Sequence, residues 1–345
     1  MITDPRHRYL IFSGFFLFLL ASFAISLTMG ASDIGILNSW WIALKKLAGN
    51  IQENPSVEEM IILNIRLPRT VLAGLVGASL ALAGCICQAL LRNPLAEPYV
   101  LGVSSGAAVG ALFAIVFGLS DLPFGEIFVP TFSFGGAVIA IMLVYNVAKI
   151  NGVRSTHHLL LTGVIFAFFF SAMVMLLTAL APPEKMQSVI FWLMGDLSSP
   201  QRIYLIFLVV CFGFSAFIGI FFAREMNVLV LGEEPSYQLG IEVERNRLFL
   251  FLAATLVVGA CVAVSGSIGF VGLIIPHMTR LMVGADHRTL IPSTILFGAG
   301  FLILADTAAR MVIRPAEIPV GVITSLCGAP FFLYLLRSRK TIYGS

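Results

Sequence analysis

Five stretches of the chain combine polar residues in patterns that could do chemistry. In "NIRLPRTVLAG", Arg66 and Arg69 stand three residues apart around Pro68. On a formed helix that spacing shares one face, and two guanidinium forks there could take a partner's carboxylates. Plain snorkelling to a membrane interface is the other reading. In "ADTAARMVIRPAEIPVG", Asp306 and Arg310 lie one helical turn apart, with Arg314 a turn further on. An unpaired charge near a bilayer centre costs about 2.5–3.5 kcal/mol or more. This acid and base should therefore pair, or leave at the outer rim, where Arg310 and Arg314 would join Arg66 and Arg69.

The third stretch is a polar island, "LVLGEEPSYQLGIEVERNRLF", between two long apolar runs. Leu231 and Gly232 lead into Glu233, Glu234 and Pro235, and Leu239 is followed by Gly240. Acidic residues suit the positive end of a helix, and proline fits its first turn. Glycine suits the position just past the end. The pattern predicts a short capped helix over 234–239, outside the membrane: either a docking element or a solvated connection.

The fourth stretch, "QALLRNPLAEPYVLGVSSGAAVGA", carries Asn93-Pro94 and Glu97-Pro98. It predicts a break in the chain at the inner surface, and re-entrant backbone persists only where protein or a water-filled cavity covers it. It is either a gate or a rigid turn. In the fifth, "SGSIGFVGLIIPHMTRLMVGADHR", Gly266, Gly269 and Gly272 predict a tight turn on the outer side, and Pro276 predicts a break in the next helix. His277 could be a ligand or proton carrier; a hydrogen-bonded packing role is the plainer reading.

Several chemistries are absent. No Gly-Lys dipeptide occurs, so the chain has no Walker A loop for ATP. It has no His-Glu-x-x-His. The five cysteines lie in apolar segments without the spacing of a zinc site or a disulfide framework. They read as small buried hydrophobes, and no metal site is expected. A net charge of +3 is too weak to suggest nucleic acid.

The elements that must hold these residues are membrane helices. Of 345 residues, 59% are hydrophobic and 11% charged, against roughly a quarter charged in globular proteins. Mean hydropathy is +0.98. Apolar segments fall at 9–30, 58–91, 100–118, 128–150, 157–181, 203–223, 248–266, 270–283, 291–313 and 319–337. This predicts an all-α integral membrane protein of about ten transmembrane helices in a single domain, 1–345. Residues from Leu10 to Met29 match the ~20 residues of a first span better than the shorter core of a signal peptide. Residues 31–57 are too mixed to span; "WWIALKKLAGNI" reads as an interfacial helix. Lys and Arg divide thirteen to eight in favour of the side bearing both termini, which predicts cytoplasmic termini and a cytoplasmic island. "GASLALAGCICQALLRNPLAEPYVLG" is echoed by "AATLVVGACVAVSGSIGFVGLIIPHM", entering from the opposite side. That is the pattern of an inverted repeat.

Together, "RLPRTVLAGLVGASLALAGCICQALLRNPLAEPYVLGVSSGA", "LGEEPSYQLGIEVER", "SGSIGFVGLIIPHMTRLMVGADHR" and "DTAARMVIRPAEIPVGVITSLCGAPFFLYLL" resemble the FecCD-type permeases. These are the membrane subunits of bacterial ABC importers for iron-siderophores, haem and vitamin B12. The resemblance implies an inner-membrane subunit with the inverted-repeat fold of type II importers. It would pair with a second copy, two cytoplasmic ATPases that bind ATP and Mg, and a periplasmic binding protein, with no cofactor of its own. It likens 229–241 (Leu231, Gly232, Glu233, Glu234, Leu239 and Gly240) to coupling helices seated in an ATPase groove. Arg66, Arg69 and Arg310 match outer arginines that meet the binding protein. Asn93, Leu95, Ser155 and Thr156 match an inner gate. Pro235 and the extra Arg314 depart from the family pattern. The alternative is a secondary transporter driven by an ion gradient, for which Asp306 is the candidate buried acid.

Overall fold

The computed structural model describes residues 5–30, 35–47, 56–149, 156–198, 200–313 and 316–340. Ser155 and Arg314, both expected to matter, lie outside these. Among the described residues the chain is helical throughout, with no strand. The first half holds α1 (Pro5–Thr28), α2 (Ile36–Leu47), α3 (Val57–Met60), α4 (Leu67–Leu90), α5 (Val103–Val116), α6 (Gly125–Val147) and α7 (Thr156–Leu180). The second holds α8 (Met186–Met194), α9 (Arg202–Phe221), α10 (Ala223–Leu229), α11 (Glu233–Gln238), α12 (Val243–Ser265), α13 (Val271–Val283), α14 (His287–Met311) and α15 (Val320–Lys340).

Seven helical stretches among the described residues are long and apolar enough to cross a membrane, and α5, α13 and α15 carry shorter apolar runs. These occupy the ten places the sequence marked. Their burial divides them into layers. The stretch through α4 is 83% buried and α12 is 72% buried, against 22–28% for α1, α6, α7 and α9. A helix apolar on every side is either a core helix or lipid-facing, and both kinds occur here. The buried helices are built from small residues, which permit the close approach that holds helices together in lipid. The closest such approach is Gly84 on α4 against Gly272 on α13. A Cβ placed on Gly84 would lie 1.8 Å from the Gly272 carbonyl oxygen.

One proline acts differently from expectation. Pro276 lies inside α13 without ending it. Only five residues of that helix precede it, so its missing N–H frees the carbonyl of Gly272, the group packed against Gly84. At Pro68 the helix also continues, through a π-helical turn at Ile61–Arg66, with the Leu67 N–H bonded to Ile62. Such a register shift is a recognised way to carry a proline within a helix.

A helix, α2, forms within the stretch read as interfacial, with Lys45 Nζ 5.7 Å from the ring of the exposed Trp41. The helix α8 carried no clear signal in the sequence.

Candidate functional site

The functional candidates gather at the two ends of α4 and at a broken segment between them. Its first turn carries Arg69, which reaches across to α14. Arg69 Nε lies 3.1 Å from both carboxylate oxygens of Asp306, and its Nη2 lies 3.0 Å from Oδ1. Its Nη1 donates to Glu317 at 2.7 Å. Arg310, one turn after Asp306, places Nε 3.2 Å from Asp306 Oδ2 and donates through Nη2 to Ser26 on α1 at 2.8 Å. Arg66 donates to the carbonyls of Leu27 and Thr28 at 3.0 Å each. These bonds staple the ends of α1, α4 and α14 together.

The forks expected to point outward are therefore turned inward: Arg66, Arg69 and Arg310 are 3%, 5% and 6% exposed. For Arg69 and Arg310 the physical reason is Asp306, itself 1% exposed, while Arg66 is held by the Leu27 and Thr28 carbonyls. A buried carboxylate must be paired, and two guanidiniums converge on it. Glu317, whose side chain is 43% exposed, is the part of the cluster that faces out.

At the opposite end the chain leaves α4 through a left-handed residue, Arg92, at φ 47°. The Asn93 N–H bonds back to the Gln88 carbonyl at 3.2 Å, and Asn93 Oδ1 accepts from the Leu95 N–H at 3.0 Å. That is an Asx turn, and it holds the bend before Pro98. Thr156, at the start of α7, sets its hydroxyl beside the Leu90 carbonyl at 3.5 Å. Asn93, Leu95 and Thr156 are thus brought to one end of the bundle.

The island meets them there. The helix α11 runs Glu233–Gln238, within one residue of expectation. Gly240 follows with φ +76°, the Gly240 N–H bonds to Tyr237 at 2.9 Å, and the Ile241 N–H bonds to Ser236 at 3.0 Å. This pair of bonds is a Schellman cap. Glu233 accepts from Arg92 at 3.0 Å and from Arg247 at 2.6 Å. One carboxylate thus ties the island to the end of α4 and the start of α12. The tip exposes apolar side chains: Leu231 is 67%, Tyr237 53% and Leu239 63% exposed. Sequence reading did not single out Tyr237, Arg92 or Arg247. The Glu233/Arg247 spacing held a weak signal, since opposite charges flank the short helix.

Asp286 sits at the same end, in the loop before α14. It accepts from Arg288 Nη2 at 2.7 Å and Asn227 Nδ2 at 2.9 Å, and caps α14 through the Arg288 N–H. The Arg288 side chain, foremost, and Asn227 hold its carboxyl well below the ordinary carboxylate range. A depressed folded pKa contributes stability above the unfolded value of about 4. That contribution is lost as pH falls through the folded value. Below about pH 4 the wild type should lose melting temperature faster than Asp286→Asn; parallel acid profiles would contradict the assignment.

Between the two ends, the two breaks meet. Tyr99 Oη donates to the Ile268 carbonyl at 2.7 Å and accepts from the Ile268 N–H at 3.0 Å. Glu97 accepts from the Phe270 N–H at 2.6 Å. The echoed segments of the sequence are thus bonded to one another where each helix is interrupted. Backbone groups freed by broken helices need such partners at membrane depth.

A profile of the FecCD transport family matches residues 18–338. The chain belongs to the FecCD transport family. It is 45% identical over 289 residues to the cobalamin import system permease protein BtuC of Halobacterium salinarum, covering 83% of this chain and 76% of that one. It is 38% identical over 330 residues to the hemin transport system permease protein HmuU of Yersinia pestis, covering 95% and 96%. A solved structure of a transporter assigned to the metal-chelate ABC type, inward-facing, superposes with TM-score 0.83 at 35% identity, covering 95% of this chain and 99% of that one. The ten apolar segments and crossed breaks are thus the fold of an ABC-importer permease, a transport subunit. The ion-driven alternative is not favoured, because its candidate acid, Asp306, is held by Arg69 and Arg310.

Proposed function

We propose that this FecCD-type permease passes an iron chelate, haem or cobalamin across the inner membrane, along an axis shared with a second copy of the chain. ATP would be hydrolysed by two separate cytoplasmic subunits, and a periplasmic binding protein would deliver the cargo. Both termini would be cytoplasmic. The observation that carries this reading is the island. A six-residue helix, capped at Gly240 and braced through Glu233, displays Leu231, Tyr237 and Leu239 to solvent. An exposed apolar patch with a polar rim suits a protein partner, and its bracing would transmit that partner's movement to α4 and α12.

The remaining roles follow from position. Asn93, Leu95 and Thr156, with Ser155 beside them in sequence, would form the inner gate at the mouth next to the lever. The arginine end would receive the binding protein. There Arg66, Arg69 and Arg310 shape and rigidify the surface, and Glu317 is exposed to a partner, with Arg314 as a further charge. The outward faces of α7, with Phe168, Met175 and Leu176 exposed, would be covered by lipid or by the second copy.

The test is uptake into vesicles carrying the permease with its ATPase. Import of ferric siderophore, haem or cobalamin should require both ATP inside and added binding protein. Uptake driven by an ion gradient alone would refute the reading. Gly240→Val should strain the left-handed cap by about 1 kcal/mol or more, although a Cβ there meets no atom within 4 Å. Insertion should be normal, while hydrolysis stimulated by the binding protein falls. Unchanged stimulation in this variant would remove the lever role.

A further inference from the structure

A cleft of about 550 Å3 opens beside the lever, between the end of α4, the end of α10, the last turn of α13 and the start of α14. Leu231 lines it and is 67% exposed, so one side of the cleft is the apolar tip of the island itself. Leu281 also lines it and is 70% exposed, but it comes from the last turn of α13, outside the island. A partner that covers Leu231 therefore closes on the cleft as well. A space left empty at such a contact forfeits the attraction of every atom that lines it, and the cores of protein interfaces pack as densely as protein interiors. The partner seated on the lever should therefore also fill the cleft.

The lining selects the chemistry of what fills it. Three guanidiniums, those of Arg92, Arg280 and Arg288, share it with one carboxylate, Asp286. Arg92 meets Glu233 of the lever at 3.0 Å, and Arg288 meets Asp286 at 2.7 Å. Arg280 donates to the Gln88 carboxamide, a neutral acceptor, at 3.3 Å. Positive charge stays in excess even with Glu233 counted, and the Arg288 side chain is 55% exposed. Guanidinium forks match carboxylates in geometry and charge. An aspartate or glutamate flanked by apolar residues fits a basic cleft with leucines on both sides.

We propose, on the basis of the lever role given to the island, that the ATPase subunit seats such an acidic segment in this cleft. The last turn of α13 is then a second coupling contact beside the island helix. α13 has 13 residues and is buried along most of its length. Gly272 in its first turn packs against Gly84 of α4, and the Phe270 N–H just before it donates to Glu97 at 2.6 Å. Movement imposed on the cleft would thus travel along one helix to the junction of the two broken segments, while the island acts on α4 and α12 through Glu233.

The test uses the purified complex of the permease with its ATPase. A photo-crosslinking residue, p-benzoylphenylalanine, is placed at Leu231 or at Leu281, and both positions should capture the ATPase. Capture from Leu231 but not from Leu281 would overturn the second contact and leave the lever in place. Absence of capture from Leu231 would overturn the lever role and this contact with it. Charge is tested at the same exposed position, where a substitution spares the fold. Leu281→Asp should weaken ATPase association several-fold more than Leu281→Lys, because only the former sets a carboxylate against the partner's own. Arg288→Gln should make association less sensitive to salt, since one screened charge pair is lost. Equal weakening by the two Leu281 variants, or an unchanged salt dependence in Arg288→Gln, would overturn the acidic assignment.

Discussion

Gly84→Val is expected to prevent assembly of the helix bundle. A Cβ at this position would lie 1.8 Å from the Gly272 carbonyl oxygen and 2.5 Å from its carbon. Overpacking usually costs about 1–3 kcal/mol because side chains shift aside. Here the obstructing group is backbone, and it can retreat only if α13 moves as a whole. That movement would also pull on Phe270 and Ile268, whose amides are held by Glu97 and Tyr99. The cost should sit at the upper end, about 3 kcal/mol or more. The variant should insert in the membrane but yield little monodisperse protein and no measurable transport. Gly213→Val is the control: a Cβ there meets nothing within 4 Å, and its melting temperature should match the wild type. A normal melting temperature for Gly84→Val would show that the two helices do not cross this closely.

The second large effect is expected at Asp306. This carboxylate is 1% exposed and receives Arg69 and Arg310. Breaking a buried ion pair by removing one partner costs about 3–5 kcal/mol, because the remaining charge stays buried. Asp306→Ala leaves two guanidiniums facing each other. Arg69 retains only Glu317, at the solvent edge. Thermal unfolding of the purified variant should show a loss in that range, and Asp306→Glu should recover little because the bidentate geometry is lost. The double variant Asp306→Leu with Arg69→Met should be more stable than Asp306→Ala, since it removes one of the two guanidiniums that the lost carboxylate leaves uncompensated. If Asp306→Ala unfolds with the wild type, the carboxylate is not the anchor of this end.

Much of the architecture can be read from local sequence, since its causes are local. Apolar runs of membrane length mark a helix wherever the neighbours stand. The island helix is legible for the same reason: Glu233, Glu234 and Pro235 at its start and Gly240 past its end satisfy the helix termini by themselves. The break at Asn93-Pro94 is legible because a proline disfavours helical backbone at the residue before it. The family motifs, repeated in order, extend this to the topology of the whole chain.

Tertiary structure decided what depends on partners distant in sequence. Arg69 and Asp306 are separated by 237 positions. Local spacing placed Arg66 and Arg69 on a shared face but could not say whether that face met solvent or a buried acid. The burial cost of Asp306 settled it for Arg69 by drawing its guanidinium inward, and the carbonyls of Leu27 and Thr28 hold Arg66. Pro276 was read as a break, but too few residues precede it in α13 for the lost hydrogen bond to end the helix. The bond between Tyr99 and Ile268 joins two interruptions that each looked, in sequence, like an isolated turn. What the sequence by itself determined is therefore where the chain is helical, where it stops and which family it resembles. Which charges are spent on holding the bundle together, and which face outward, was fixed only by packing, because pairing energy depends on distance and burial that no local pattern encodes.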